Sequence, residues 1–122
     1  MARPLRGKEA DTCQRGAATL LVTAMCGLLL LVGLAAVAVA GAFVAARRAQ
    51  SAADLAALAA ASALRTGADG CHVAAMVAEA NHARLDRCRV RGSDVSVEVS
   101  LPGPRLAGRQ PRLVGRARAG PA

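Results

Sequence analysis

The feature that most constrains this chain is an uncharged run of 31 residues, from Gly16 to Ala46. Its centre is a continuous apolar stretch, Leu-Leu-Leu-Leu-Val, at residues 28–32. An α-helix needs about 20 apolar residues to cross the hydrocarbon core of a bilayer. We therefore predict a transmembrane helix at residues 16–46, preceded by a basic N-terminal segment at residues 1–15 that lies in the cytoplasm.

The composition of the chain agrees with a small protein attached to a membrane. Apolar residues make up 54 % of its 122 residues, yet Phe43 is its single aromatic residue. The net charge is +8, and arginine carries almost all of the positive charge. These properties exclude an ordinary soluble enzyme with a large core, and they exclude an acidic disordered chain.

A signal peptide that is removed after export is the alternative interpretation of the apolar run. Signal peptides have an apolar region of about 7–15 residues before a cleavage site flanked by small residues. Small residues are frequent at residues 36–40, so the sequence is compatible with a cleavage site there. The length of the run favours a span that is retained.

The charges beside the span favour a cytoplasmic N-terminus and a C-terminal domain outside the cell membrane. Lysine and arginine near the ends of a span are enriched on the cytoplasmic side. Four basic side chains precede the span and three follow it: Arg3, Arg6, Lys8 and Arg15, then Arg47, Arg48 and Arg65.

The stretch after the apolar run predicts that the helix continues beyond the membrane. Alanine fills eleven of the twenty positions from Ala45 to Leu64, and alanine has the highest intrinsic helix propensity. We predict one helix over about residues 16–65, whose extension at 47–65 lies outside the bilayer. Gly67 is suited to end it as a left-handed C-cap.

Three polar residues of this extension form a candidate helix-assembly motif. Arg47, Gln50 and Asp54 are spaced to lie on one helix face. Small residues recur beside them at every fourth position from Gly41 to Ala61, a spacing that allows two helices to approach closely. We predict that the motif binds a neighbouring subunit; in the alternative, Asp54 simply hydrates an exposed alanine helix.

The residues on either side of the span resemble those of a known family. An Arg-Gly pair at residues 15–16 precedes the span, and Gln-Ser-Ala-Ala-Asp-Leu-Ala-Ala-Leu-Ala-Ala follows it at residues 50–60. This arrangement resembles the TadE/TadG-like proteins of tight-adherence (Flp) pilus assembly. The short C-terminal part, which ends Gly-Arg-Ala-Arg-Ala-Gly-Pro at residues 115–121, resembles the small actinobacterial TadE-like type, and the arginine-rich, lysine-poor composition agrees with it.

The resemblance implies a pilin-like or pseudopilin-like component of a Tad-type pilus assembly or secretion apparatus. It implies partners among the other membrane proteins of that apparatus, or among copies of the chain itself, reached through helix packing. It also implies processing after Gly16. The pilin pattern has glutamate at the fifth position after the cut, where this chain has Leu21, so a minor component retained in the membrane fits better than a major fibre subunit.

The remaining residues predict a small α+β domain at 66–101. A turn at 66–70 leads to a helix from Cys71 to about Asp86, with its apolar residues at helical spacing. A strand begins at Cys88, a hairpin turn follows, and the alternation of Val95, Val97 and Val99 with polar residues is typical of a half-buried strand. The inward residues of the predicted helix are Val73, Met76, Val77 and Ala80.

The last segment, residues 102–122, is a basic tail rich in proline, glycine and arginine. It contains a weaker third strand at residues 112–117, which would lie at the edge of the sheet. The predicted fold is thus a long transmembrane helix that leaves the membrane, followed by a small helix and an antiparallel hairpin or sheet.

Cys71 and Cys88 are candidates for a disulfide, which a domain of this size needs to be stable. A 15-residue helix between them would separate its ends by about 22 Å, so the bridge requires a shorter helix or a chain that turns back. Two free thiols are the alternative. A zinc site made of Cys71, His72, His82 and Cys88 matches no closed zinc module, and surface histidines are the simpler interpretation.

The residue pattern predicts no enzymatic activity. It contains no glycine-rich phosphate loop, no usefully spaced pair of carboxylates and no nucleophile with a base, and it suggests no cofactor or metal. The basic tail lacks the aromatic residues that stack nucleic-acid bases, which argues against nucleic acid as a partner. An envelope-anchored module that binds an anionic polymer or DNA is the alternative function, since the tail would attract polyanions or anionic headgroups.

Overall fold

The computed structural model describes residues 5–121, with side chains described from residue 13 onward. Residues 1–4 of the basic N-terminal segment lie outside the described residues. The chain forms two units, Met1–Val39 and Ala40–Ala122. Its elements, in order, are α1 (Leu5–Arg65), α2 (Gly70–Ala80), β1 (Arg84–Arg91), β2 (Asp94–Pro102) and β3 (Arg112–Ala119). The predicted α+β fold is confirmed.

Helix α1 begins at Leu5, well before the predicted start near residue 16. In the Met1–Val39 unit its large apolar side chains are exposed on every side; Leu28 to Leu31, for example, are 56–70 % exposed. Among the described residues, α1 is the one helix long and apolar enough to cross a membrane. Leucine on all faces is typical of a helix whose solvent is lipid.

The C-terminal end of α1 has the predicted glycine cap. Gly67 has a φ of +78°, the left-handed conformation that glycine adopts without a steric penalty. The Ala68 N–H donates to the Ala63 carbonyl at 2.9 Å, and the Gly67 N–H donates to the Leu64 carbonyl at 3.2 Å. These two bonds form a Schellman motif, which satisfies the last carbonyl groups of the helix.

The core of the Ala40–Ala122 unit is built from alanine and valine. Helix α1 contributes a stripe of six buried alanines at helical spacing: Ala49, Ala52, Ala53, Ala56, Ala57 and Ala60. All but Ala49 form one cluster with Ala74 and Ala78 of α2 and with the three alternating valines of β2. The small-residue row that we expected to face another helix is therefore covered, at Ala49, Ala53 and Ala57, within its own chain.

Helix α2 is shorter than predicted, because it ends at Ala80 rather than near Asp86. Asn81 stops it: its backbone N–H and its side-chain amide both donate to the Val77 carbonyl, at 3.2 and 2.8 Å. His82 then takes a positive φ of 57°, which turns the chain back. At the other end of α2, the Asp69 carboxylate accepts hydrogen bonds from the Cys71 and His72 N–H groups as an N-cap.

The buried face of α2 also differs from the predicted one. Ala74 and Ala78 are buried, and Met76 is 57 % exposed. Small residues occupy this face because α2 lies close to α1: a side chain at Gly70 would meet the Ala60 carbonyl and the Leu64 side chain at 3.1 Å. Close packing of two backbones needs small side chains between them.

The shorter helix brings Cys71 and Cys88 together, and the structure joins them in a disulfide with a Cα–Cα distance of 5.8 Å. From Cys71 to Ala80 the helix rises about 14 Å. Strand β1 then runs back about 13 Å from Arg84 to Cys88. The two paths cancel, which removes the distance problem that a 15-residue helix would pose.

The strands form an antiparallel sheet in the order β1-β2-β3. Strand β1 begins at Arg84, earlier than the predicted start at Cys88, and its register with β2 shifts between Leu85 and Arg87. This bulge matters because side chains three residues apart would otherwise point to opposite faces. With it, Leu85 and Cys88 both pack against the core.

The predicted edge strand is present as β3, and it pairs with β2 along its whole length. Its side chains alternate strictly. Leu113, Gly115, Ala117 and Ala119 face the core and are partly or fully buried, and the residues between them are exposed. The C-terminal segment thus supplies one of the three strands of the sheet.

Candidate functional site

The predicted motif residue Gln50 lies against the free edge of β3. Its side-chain amide nitrogen donates to the Arg116 carbonyl at 2.7 Å, and its amide oxygen accepts from the Arg116 N–H at 3.4 Å. A side-chain amide has the same donor and acceptor groups as a peptide bond. Gln50 therefore pairs with Arg116 as the next strand of the sheet would.

Gly115 makes this contact possible by letting the two backbones touch. A β-carbon at this position would overlap the carbonyl group of Ala49. Because a backbone carbonyl cannot move aside as a flexible side chain can, only glycine fits here. The close approach places the α1 backbone beside β3 and brings the Gln50 amide within reach of Arg116.

Asp54 fixes the orientation of the Gln50 side chain. Its carboxylate accepts a second hydrogen bond from the Gln50 amide nitrogen, at 3.1 Å. This bond specifies which end of the amide points at the Arg116 carbonyl, because a carboxylate accepts hydrogen bonds and does not donate them when ionised. Asp54 itself is exposed.

Arg47, the third residue of the motif, has a different neighbour. Its guanidinium lies 4.9 Å from the centre of the Phe43 ring, one helical turn earlier. At this distance the contact is a cation–π interaction. The structure thus joins Gln50 and Asp54 in one hydrogen-bonded group, and it places Arg47 in a separate contact.

The hydrogen-bonded group of Gln50 and Asp54 covers part of the sheet edge, a role that the sequence did not predict. The exposed N–H and C=O groups of an edge strand can pair with other chains. Gln50 occupies one such pair of groups on β3, from within the same chain. Gly115 and Arg116 were missed as partners of the motif; the alternation of small residues with arginine along β3 was the signal that could have found them.

The other predicted site residues lie apart from this group. Gly16 is inside α1, with open space where a side chain would be. Cys13 and Cys26, which the sequence did not indicate as site residues, are exposed free thiols. Among the described residues there is no group of three or more histidine, cysteine or carboxylate side chains that could hold a metal ion.

The outer face of the sheet carries a row of arginines that the sequence interpretation did not single out. Arg87, Arg89 and Arg91 occupy alternate positions of β1 and are exposed; no carboxylate of the described residues lies within ion-pair distance of them. On β3, Arg116 pairs with Glu98 at 2.9 Å, and Arg118 pairs with Asp94. A shallow cavity of about 460 Å³ lies between these two rows.

Comparison with known proteins gives one match. Residues 16–78 match the model of the TadE/G-like family of Flp pilus-assembly proteins. This range includes the apolar run, the Gln50–Asp54 pair and most of α2. No curated protein matches the chain, and no solved structure matches it. Because the matched range covers more than half of its residues, the chain belongs to the TadE/G-like family of Flp pilus-assembly proteins.

Proposed function

We propose that this chain is a membrane-anchored, pilin-like component of a Tad-type pilus assembly or secretion apparatus, with a structural rather than an enzymatic role. One observation carries the proposal: α1 combines a fully exposed apolar half with a half that belongs to the core of a folded unit. Such a helix holds a small domain at the membrane surface. Family membership supports a role in pilus assembly.

In the proposed topology the N-terminus is cytoplasmic and the Ala40–Ala122 unit lies outside the cell membrane. The flanking charges favour this orientation. The Cys71–Cys88 disulfide supports it, because disulfides persist in oxidising compartments outside the cytoplasm. A membrane-impermeant thiol reagent tests the topology in intact cells. After reduction, Cys71 and Cys88 should react and Cys13 should not; the reverse pattern would contradict the orientation.

The mass of the mature chain tests how the protein is anchored. An intact chain in the membrane fraction supports the span as a permanent anchor. Loss of residues 1–16 supports pilin-like processing at Gly16, with the anchor kept. A soluble product that lacks about 40 residues would contradict the anchor and show that the apolar run is a signal peptide.

We further propose that the exposed side of the motif makes contacts in assembly. Gln50 is held by β3, but Arg47 and Asp54 remain exposed, and Leu55 and Leu58 beside them are 46 % and 60 % exposed. Apolar side chains next to a carboxylate suit the surface of another helix. Losing a partner of Asp54 at such an interface would leave a buried charge without compensation.

Co-purification of tagged and untagged copies, and of neighbouring apparatus proteins, tests this role. Asp54→Ala should reduce co-purification sharply and leave membrane insertion unchanged. Glu79→Ala is the matched control, because Glu79 is an exposed carboxylate on α2. Wild-type co-purification by Asp54→Ala, and by the double variant with Gln50→Ala, would remove the assembly role of the motif.

A second candidate function, binding of an anionic polymer outside the cell, is favoured by the arginine rows of the sheet. The spacing of Arg87, Arg89 and Arg91 along β1 is about 7 Å, and Arg116 and Arg118 line the cavity together with Arg87 and Arg89. Duplex DNA is a suitable probe. Replacing the three β1 arginines by glutamine should weaken DNA binding and flatten its salt dependence; unchanged binding would exclude the candidate.

A further inference from the structure

The loop between β2 and β3 is a well-defined hairpin rather than an irregular tail. At its neck, the Gly103 N–H donates to the Pro111 carbonyl at 2.7 Å. At its tip, Leu106 and Arg109 exchange two backbone hydrogen bonds of 2.9 Å around the turn formed by Ala107 and Gly108. We call residues 103–111 the basic hairpin.

The basic hairpin extends from the end of the sheet that lies near the C-terminal end of the uncharged run, whose residues 40–46 belong to the same unit. Strand β3 runs along α1 in the same direction. Its Gly115 lies beside Ala49, and Gly120 and Pro121 lie beside Ala61 and Leu64. Reading β3 backwards from Gly115 therefore leads towards the end of the uncharged run.

The lengths of strand and helix per residue show which part of α1 lies beside the hairpin. Three residues of strand before Gly115 span about 10 Å, which equals about seven residues of helix. Arg112 is therefore level with about Ala42, and the hairpin begins directly beyond it. Ala42 and Ala45 are half-buried on the same stripe as Ala49, whereas their immediate neighbours in the helix are exposed.

The length of the uncharged run places this level at the membrane surface. The run of 31 residues is longer than the roughly 20 that cross a hydrocarbon core. The residues in excess of these 20 lie at the ends of the run, and the end from residue 40 to residue 46 belongs to the same unit as the hairpin. The end of the run leads to Arg47 and Arg48, and basic residues that flank a span lie at the membrane surface. The hairpin therefore lies at the depth of the lipid headgroups.

The side chains of the hairpin suit that depth. Arg105 and Arg109 belong to it, Arg112 adjoins it, and the chain contains no carboxylate side chain after Glu98. Leu106, at the tip, is 45 % exposed. Arginine binds phosphate oxygens through several N–H groups at once, and basic residues near an anionic leaflet are attracted to it.

From this placement we infer that the basic hairpin is a second membrane contact, in which Arg105, Arg109 and Arg112 bind the phosphate headgroups of anionic lipids and Leu106 inserts between them. The contact rests on the proposed membrane anchor. With two attachments, the folded unit keeps a fixed orientation to the bilayer instead of rotating freely about a single helix.

Depth-dependent fluorescence quenching tests the inference on the full chain in vesicles. The background carries Cys13→Ser and Cys26→Ser and keeps the disulfide. A bimane probe is attached to Ala107→Cys at the hairpin tip, or to Ser93→Cys in the β1–β2 turn as the matched control. Vesicles contain brominated lipids, either neutral phosphatidylcholine alone or mixed with anionic phosphatidylglycerol.

The expected result is strong quenching of the probe at residue 107 in anionic vesicles and little quenching at residue 93. Replacing Arg105, Arg109 and Arg112 by glutamine should lower the signal at residue 107 to that of residue 93, and so should high salt. Equal quenching at both positions, in a protein that floats with the vesicles, would overturn the hairpin contact and leave the anchor intact. A protein that does not float would overturn both.

Discussion

The two halves of α1 have similar apolar content and opposite surroundings. The first half, in the Met1–Val39 unit, carries large leucines and valines that are exposed on all sides. The second half, in the Ala40–Ala122 unit, buries six alanines, packs Leu64 partly against the core and leaves Leu55 and Leu58 exposed. Side-chain size, rather than apolarity, separates the half that suits lipid from the half that suits a protein core.

The physical reason for this difference is the distance between backbones. Leucine fills the space around an isolated helix with apolar atoms, which lipid solvates. Alanine and glycine let a second backbone come close, as Gly115 does at Ala49 and Gly70 does at Ala60. The one aromatic residue of the chain, Phe43, is exposed. The core therefore gains its stability from close contact between many atoms of small side chains and backbone.

The largest effect is expected when the close approach in the second half is blocked. Gly115→Val would push β3 away from α1, because the new side chain overlaps a backbone carbonyl. We expect destabilisation at or above the roughly 3 kcal/mol upper range of overpacked cores, measured by thermal unfolding in detergent. Ser96→Val, on the exposed face of β2, should change the melting temperature little. Equal effects of the two variants would contradict the close packing.

Charge in the first half is expected to act on membrane insertion alone. Leu29→Arg places a charge near the middle of the apolar run, at a cost of about 3 kcal/mol for insertion. The same change at Leu58, in the second half, should leave the protein in the membrane fraction. Carbonate extraction measures both, and release of the Leu58→Arg protein would contradict the division of α1.

Removing the disulfide should destabilise the Ala40–Ala122 unit by an amount similar to, or slightly smaller than, that expected for Gly115→Val. Cys71 and Cys88 close a loop with a sequence separation of 17, and a loop of this size contributes about 3 kcal/mol in the chain-entropy model. We expect the double change to serine to lower the melting temperature. Serine at Cys13 and Cys26, which are free and exposed, is the control and should have no effect.

The smallest effect is expected where Gln50 pairs with Arg116 at the free edge of β3. Gln50→Ala removes two hydrogen bonds to Arg116, whose freed groups can then bind water, so the cost is about 1 kcal/mol. Ser51→Ala, on the neighbouring exposed position, is the control. Hydrogen exchange at the Arg116 amide should accelerate in the first variant only; unchanged exchange would show that Gln50 does not hold this edge.

The sequence predicted the elements whose signals are local. The apolar run, the cap at Gly67 and the alternating valines of β2 each depend on neighbouring residues, and the structure has all three. The end of α2 was misplaced because the apolar spacing continues past Ala80, while Asn81 and His82 turn the chain. The start of β1 was missed because the bulge beside Leu85 breaks the period of two.

The candidate site was harder to predict, because its partner is distant in the chain. The spacing of Gln50 and Asp54 placed both on one helix face, and the structure joins them by a hydrogen bond. The alternation of small residues with arginine along β3 indicates which side chains face the core. It does not show that the Arg116 carbonyl, 66 residues later, accepts a hydrogen bond from the Gln50 amide. Alanine packs equally well against a helix or a sheet, so the stripe alone did not reveal what covers it.

The central claim is that the second half of α1 packs against the sheet of its own chain. Methyl NMR of the protein in nanodiscs tests it directly, with labelled alanine and valine methyl groups. We predict cross-peaks between the buried alanines of α1 and the valines of β2, with the same intensity per labelled chain after dilution with unlabelled chains. Cross-peaks that are missing, or that fade on dilution, would show that the alanine stripe faces lipid or another subunit and would contradict the account.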